Sequence, residues 1–348
     1  MKIDPAKISK IIESNFSYLM PDFYQMETEY LLSMNNIYND LDATLIAMFL
    51  TNKYYQNDIK ENHLSNNVSN KILNQNISKV PTPKFKINEI SNGTGIPRET
   101  VRRKKIKLIK NKFIILNKKK KSYSLNKGLI DKKILEPQIE ISSKMLFHYC
   151  NFFLNKNVFS KELDLVLFKN DIEKKFMSYL PIFLNFQISY MTQWRKFFDM
   201  ECLFIAVLCA LNTTTHIRRR SKNFNKVFDS KEIFSEVYKL NNKFGINSTS
   251  IAEITNIPRT TILRKLVKLQ KLNILKKDKY KRYATEVLDN SENLKKTFYP
   301  IMQNTINLLG ILISKCLETY TSIELKIIRI VPIIPNVKSK YFVFEFIR

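Results

Sequence analysis

The chain has 348 residues, with 58 Lys+Arg against 31 Asp+Glu and a formal net charge of +27. That length points to two or three domains, and a hydrophobic content of 44% is enough for packed cores, which excludes a disordered tail. Only five glycines occur, and none has the spacing of a P-loop or a dinucleotide-binding fingerprint, so both are excluded. Few glycines among many Lys, Ile and Leu favour a mainly α chain. Heavy use of Asn, Lys and Ile is what an AT-rich genome produces, so the position of the charge carries more information than its total.

The N-terminus, MKIDPAKISKIIESNF, has no apolar core of a signal peptide. The longest apolar runs, 202–211 and 308–313, are too short to span a bilayer, so a cytoplasmic protein without a membrane partner is expected. In chain order, the patterning predicts a helical arm over 8–34 and an apolar helix over 41–52. An Asn-rich insertion, 57–83, follows and reads as a loop ending in Val80-Pro81-Thr82-Pro83. A basic block spans 90–110, and a further helix is expected over 144–155. The same order then returns, with an arm over 171–194, an apolar helix over 200–211 and an insertion over 212–245. This second insertion contains His216-Ile217-Arg218-Arg219-Arg220 and an expected helix over 231–240. A second basic block covers 251–271, a helix is expected over 294–317, and alternation at 324–330 and 341–347 predicts two strands. Cys150, Cys202, Cys209 and Cys316 form no CxxC and pair with no histidine at zinc-site spacing, so they read as reduced core thiols.

The two blocks are related. ISNGTGIPRETVRRKKIKLIK (90–110) and IAEITNIPRTTILRKLVKLQK (251–271) are identical at 11 of 21 positions at an offset of 161. Upstream, DLDATLIA (40–47) matches DMECLFIA (199–206), and Ser17-Tyr18-Leu19 matches Ser178-Tyr179-Leu180. A unit of about 160 residues therefore reads as an internal duplication. The organisation predicted is a first repeat over 1–165, a second over 166–322, and a C-terminal tail over 323–348 without a counterpart.

Within the second block, 250–255 reads as a short helix, Asn256-Ile257 as a tight turn, and 258–271 as a helix begun by Pro258. Ile262, Leu266 and Leu269 fall on one buried stripe, opposite Arg259, Thr260, Arg264, Lys265 and Lys268. Two short strands around a charged turn follow at 274–283. This helix, turn, helix, hairpin layout resembles the winged helix-turn-helix domains of bacterial regulators of the MarR and IclR type. Their phrase Ile-Ala-x-x-Thr-Gly-Ile-x-x-x-Thr-Val-x-Arg-x-Leu-x-x-Leu is filled by Ile251-Ala252, Thr255, Ile257, Thr261-Ile262, Arg264, Leu266 and Leu269. The first block fills it with Ile90, Thr94-Gly95-Ile96, Thr100-Val101, Arg103 and Leu108. The resemblance covers about 40 residues in each repeat, and it implies a mainly α fold with small β-wings and two tandem DNA-reading units. Asn256 stands where Gly is usual, and Asn tolerates the left-handed backbone. Lys105 stands where Leu266 is apolar, so either it snorkels or the helix turns to use Ile106 and Ile109.

The charge map agrees with this reading. Residues 97–121 carry twelve Lys/Arg and one acid, and residues 258–282 carry ten and one, so 50 residues hold +20 of the chain's +27. Genome bias would spread charge evenly. This concentration predicts a polyanionic partner, double-stranded DNA, bound with strong salt dependence. By analogy with docked recognition helices, Arg98, Glu99, Arg102, Arg259 and Thr260 are expected at base edges, with arginine suited to guanine and glutamate to cytosine. Thr100, Arg103, Lys107, Thr261, Arg264 and Lys268 are expected at phosphates, and Lys265 is expected on the same DNA-binding face. The hairpin residues Lys118, Lys119, Lys120, Lys121, Lys276, Lys277, Lys279, Lys281 and Arg282 are expected along the DNA backbone or minor groove.

A duplicated chain can act as a dimer within one molecule. Because Glu99 is matched by Thr260 and Arg102 by Leu263, its site should be an imperfect repeat. The function expected is sequence-specific transcriptional regulation without a cofactor, and a homo-oligomer of such chains is compatible with the pattern. A replication initiator of the plasmid type and an architectural nucleoid protein are the alternatives. No enzyme is expected. The HxxR at 216–219, the SxxK at 124–127 and the acid pairs Asp40/Asp42 and Glu162/Asp164 lack the companion residues their chemistries need.

Overall fold

A computed structural model of the chain describes residues 3–61, 85–117, 122–126, 136–153, 165–223, 227–233, 244–285 and 292–319. The expected tail strands, most of the first insertion, and residues 224–226 and 234–243 of the second, with most of its expected helix, lie outside these residues, as do Lys118, Lys119, Lys120 and Lys121. The chain is mainly helical.

Helix α1 (Pro5–Ser14) starts where its chemistry favours it. Asp4 accepts the Ala6 N–H, and Pro5 holds the first helical position, where a missing N–H goes unnoticed. α2 (Phe16–Tyr38) closes on Asn39 in the left-handed conformation, and Asp40 then caps α3 (Leu41–Glu61) by accepting the Ala43 N–H. α3 runs past 52, into what reads in sequence as an insertion. α4 (Ile87–Thr94) and α5 (Arg98–Lys110) are joined by a three-residue turn, and the antiparallel hairpin β1 (Ile114–Asn117) and β2 (Ser122–Leu125) follows. α6 (Glu136–Phe153) and α7 (Leu165–Arg195) lead to α8 (Met200–Asn223).

The second half continues with β3 (Ile246–Asn247), α9 (Ser248–Thr255), α10 (Arg259–Lys271), β4 (Leu275–Lys277), β5 (Arg282–Thr285) and α11 (Glu292–Thr319). β3 pairs with β5, which pairs with β4, so this hairpin is part of a three-stranded antiparallel sheet. The strand β3 carries too few residues to be read from alternation.

α8 differs from expectation. It passes through 212–223 without a break, so the basic cluster His216–Arg220 sits on a helix rather than in an insertion. Over Met200–Arg220 it reaches the length and mean hydropathy (1.4) of a membrane span, although the apolar run inside it is shorter. Most of this stretch is buried against the rest of the protein, with Cys202, Phe204, Ile205 and Cys209 fully enclosed. Burial within the fold therefore accounts for its hydropathy.

The centre of the molecule is built on α2 and α7. α2 packs on α8, α6 and α3, α7 packs on α11, α3 and α6, and α1 lies along α11. Their contact is aromatic, and Phe23 meets Tyr190 edge-on at 5.3 Å while Tyr30 meets Phe183 edge-on at 5.9 Å. Between these pairs Gln187 donates from Nε2 to Glu27 Oε1 at 2.6 Å. At the far ends of the two arms, Asn35 donates to the Thr255 carbonyl and Arg195 to the Gly95 carbonyl. Each arm thus supports the turn that belongs to the other half.

Candidate nucleic-acid interface

The two helix–turn–helix–hairpin segments share local chemistry down to single hydrogen bonds. Thr94 Oγ1 donates to Ile90 O and accepts the Ile96 N–H, and Thr255 does the same with Ile251 and Ile257. The threonine hydroxyl therefore closes the last turn of the first helix in each segment. Gly95 (φ +65°) and Asn256 (φ +55°) then take the left-handed conformation that reverses the chain, as expected of Asn at this position. Pro97 and Pro258 sit at the cap, one residue before their helices begin. After each second helix, Lys112 and Asn273 again take positive φ and turn the chain into its hairpin.

α10 buries Ile262, Leu266 and Leu269, the stripe read from spacing. In α5 the buried residues are Val101 and Leu108. Lys105 is half-buried, and Ile106 is 53% exposed, so the helix has not rotated to bury Ile106. Of the two isoleucines only Ile109 is partly buried against the core.

The opposite faces are open. Arg98, Glu99, Arg102 and Arg103 on α5 are exposed, and so are Arg259, Thr260 and Arg264 on α10. Thr100 and Thr261 are half-buried one step round each helix. Around the second hairpin Lys277, Lys279 and Lys281 are exposed, while Lys276 and Arg282 are half-buried. Asp278 organises this turn by accepting the N–H groups of Tyr280 and Arg282 and the Arg282 Nε–H at 2.8 Å. Tyr280, 65% exposed at the tip, lies under the Lys279 ammonium and the Arg282 guanidinium, each about 5 Å from its ring. In the sequence this ring is visible only as a tyrosine between lysines.

The lysines on the inner edges have another job. Asp40 accepts from Lys104 and Lys107, and Asp199 accepts from Lys265 and Lys268 at 2.8 and 3.1 Å. Lys265 also reaches Glu201 at 2.7 Å and is only 13% exposed. Lys265 is therefore a clamp between α10 and α8, which corrects its expected place on the open cationic face. Lys107 and Lys268 are shared between the clamp and the surface. Asp199 also caps α8 by accepting the Cys202 N–H. Burial raises the tendency of Asp199 to protonate, but the hydrogen bonds from Lys265 and the Cys202 N–H outweigh it, and the carboxyl is held far below its ordinary range. Asp40 is lowered in the same way by Lys104 and the Ala43 N–H against its own burial. Both aspartates tie the basic helices to the start of the preceding apolar helix.

Glu99, expected at a cytosine edge, is paired within its own helix. Both of its oxygens are taken by Arg102, whose Nε lies 3.0 and 3.1 Å away and whose Nη2 lies at 2.8 Å. This hydrogen bond holds the Glu99 carboxyl below its ordinary range. At the equivalent positions of α10, Thr260 and Leu263 offer hydroxyl and methyl groups, and Val267 beyond them is 51% exposed.

His216, Ile217 and Arg218 of the α8 cluster are turned toward the fold, whereas Arg219 is exposed. Arg218 is bound to Asp22 and the Tyr18 carbonyl, while His216 stacks on Phe244 at 4.0 Å and burial lowers its pKa to about 4. Among the described residues no group of His, Cys, Asp or Glu could hold a metal ion. The four cysteines are buried thiols and form no disulfide. No family model, curated protein or solved structure matches the chain.

Proposed function

We propose that this chain is a sequence-specific double-stranded DNA-binding protein, a cytoplasmic transcriptional regulator. In this reading its two halves are tandem winged helix-turn-helix units from an internal duplication, acting as a dimer within one chain. One observation carries the reading. Two helices of equal length, α5 and α10, bury their apolar stripes and expose arginines at equivalent positions, Arg98/Arg259 and Arg103/Arg264. A solvated face needs no such correspondence, whereas a pair of DNA-reading helices does. Each helix is followed by a hairpin, and in the second half this hairpin ends in a cationic, tyrosine-bearing tip. The bases are read from the N-terminal turns of α5 and α10, and the hairpin lysines lie along phosphates.

The test is selection of duplexes from a random pool at several salt concentrations, followed by sequencing of the bound fraction. A single enriched motif with two half-sites is expected, with log affinity falling linearly against log salt. Arg259→Ala should relax preference at one position, a loss of about 1–3 kcal/mol on the preferred sequence, and Lys277→Ala should weaken all sequences alike. Equal behaviour of the two variants would remove the division of roles. Binding without enrichment would leave only an architectural function.

A further inference from the structure

Resting on that reading, we infer that the DNA site is an inverted repeat with chemically unequal halves, a guanine under Arg102 of α5 and thymines under Thr260 and Leu263 of α10. The orientation comes from the contacts between the arms. Phe23 and Phe183 are 160 residues apart in the chain, and so are Tyr30 and Tyr190. The pairs Phe23·Tyr190 and Phe183·Tyr30 are therefore the same contact with the halves exchanged. Glu27 and Gln187 are also 160 apart, and they bond to one another. The exchange extends outward, since Asn35 supports the Thr255 turn as Arg195 supports the Gly95 turn. Residues that meet their own counterparts, flanked by contacts that swap, require an approximate two-fold rotation. A translation along the chain would place every contact head to tail. Two reading helices related by a two-fold meet a duplex whose own dyad matches it, so the half-sites run in opposite directions.

The inequality comes from two positions. Glu99 occupies the Nε–Nη2 edge of Arg102 and leaves the Nη1–Nη2 edge free. That remaining fork presents two parallel N–H groups, the pattern that takes guanine O6 and N7 together. Glu99 is thus a positioning residue, and the guanidinium is oriented before DNA arrives. On α10 the same positions hold Thr260 and Leu263, and Leu263 is 37% exposed with no polar group to offer a base edge. Methyl groups at these positions match the C5-methyl of thymine. Ile106 and Val267 are exposed at equivalent positions, so they add apolar contact to both halves and do not distinguish them.

The experiment is the duplex selection made with the full chain and with three variants, each altered only at exposed positions. The wild type should return two opposed half-sites, one with guanine and one with thymines. Replacing that guanine by adenine should weaken wild-type binding about 10- to 100-fold, and Arg102→Leu binding less than about 3-fold. The pair E99T and R102L, which gives α5 the residues of α10, should return a motif with two matching thymine halves. Glu99→Gln should reduce discrimination for guanine while leaving affinity for guanine-free duplexes equal or higher, because an anion has been removed. Half-sites in the same orientation overturn the inference, as does Arg102→Leu weakening every sequence by one factor. Both of those results leave DNA binding itself standing. A wild-type chain that retains no duplex at low salt overturns the proposed function with it.

Discussion

Glu27 offers the sharpest test of how the two halves are joined. Its side chain is completely buried where α2 meets α7, and one oxygen accepts from Gln187 at 2.6 Å. The other carboxyl oxygen and the Gln187 carbonyl oxygen have no hydrogen-bond partner. Burial raises the Glu27 pKa from 4.5 to about 8, with the Gln187 hydrogen bond working in the opposite direction. At neutral pH the residue is therefore mostly a neutral acid. A folded-state pKa above the unfolded value means that the folded protein holds the proton more tightly. The contribution to stability is full below pH 4.5, declines as pH rises to about 8, and is then gone. Between the ends of that window the loss is on the order of 5 kcal/mol, and about 3 kcal/mol of it has occurred by pH 7. Glu27→Gln replaces the acid with an amide of the same shape whose carbonyl oxygen can still accept from Gln187 and which does not titrate. Urea denaturation of both proteins at pH 5, 7 and 9 should give midpoints that diverge, the variant gaining several kcal/mol on the wild type as pH rises. Parallel curves would mean that Glu27 ionises as readily in the folded chain as in the unfolded one, and the neutral acid would have to be abandoned.

Four further substitutions probe the two helix–turn–helix segments themselves. Asp199→Ala removes the cap on the Cys202 N–H and the partner of Lys265 and Lys268, so it should destabilise the chain by about 2 kcal/mol, read as a lower melting temperature. Asp40→Ala should do the same in the first half, and a variant pair without loss would make these ion pairs incidental. Gly95→Ala places a Cβ on a backbone at φ +65°, an expected loss of about 1–2 kcal/mol in the same measurement, whereas Asn256→Gly keeps the left-handed conformation and loses only the exposed hydrogen bond to Asn36, an expected cost of about 1 kcal/mol or less.

Much of this was legible in the sequence because the relevant signals are local. The stripe Ile262, Leu266, Leu269 has helical spacing, and the residue before Ile257 or Ile96 is one that tolerates a left-handed turn. The pairing of Asp199 with Lys265 and Lys268 was not legible, because it joins residues about 70 apart and looks, in one dimension, like an acid on a solvated face. The same holds for Glu99, whose distance from Arg102 permits an ion pair without requiring one. The basic cluster at 216–220 misled in the other direction. Its charge resembled an insertion, yet the apolar residues of α8 continue beneath it and Ile217 is buried, so the helix persists. Arm-to-arm contacts such as Phe23 with Tyr190 depend on which helices cross, and periodicity carries no information about crossings.

The exchange of arms has a mechanical consequence. In a pair of domains joined by a linker, each reading head keeps its own support and the spacing between them can vary. Here the turn at Gly95 is held by Arg195, and the turn at Thr255–Asn256 by Asn35 and Asn36, so neither turn is supported by the arm of its own half. Arg195 is itself fixed to Asp42 on α3, next to the aspartate that clamps α5. The position of each basic helix is thus set by the same buried layer of α2 and α7, and that layer is shared. The distance between the heads then follows from core packing, which resists deformation more than a linker does. On the proposed reading, inserting or deleting a single base pair between the half-sites rotates one half-site by roughly a tenth of a turn relative to the other, and the shared layer of α2 and α7, among the described residues, resists following it. Affinity for such altered duplexes should fall to that of one half-site. A chain that tolerated the change would have its two heads on independent supports, and the arm contacts described above could not then persist in the bound state.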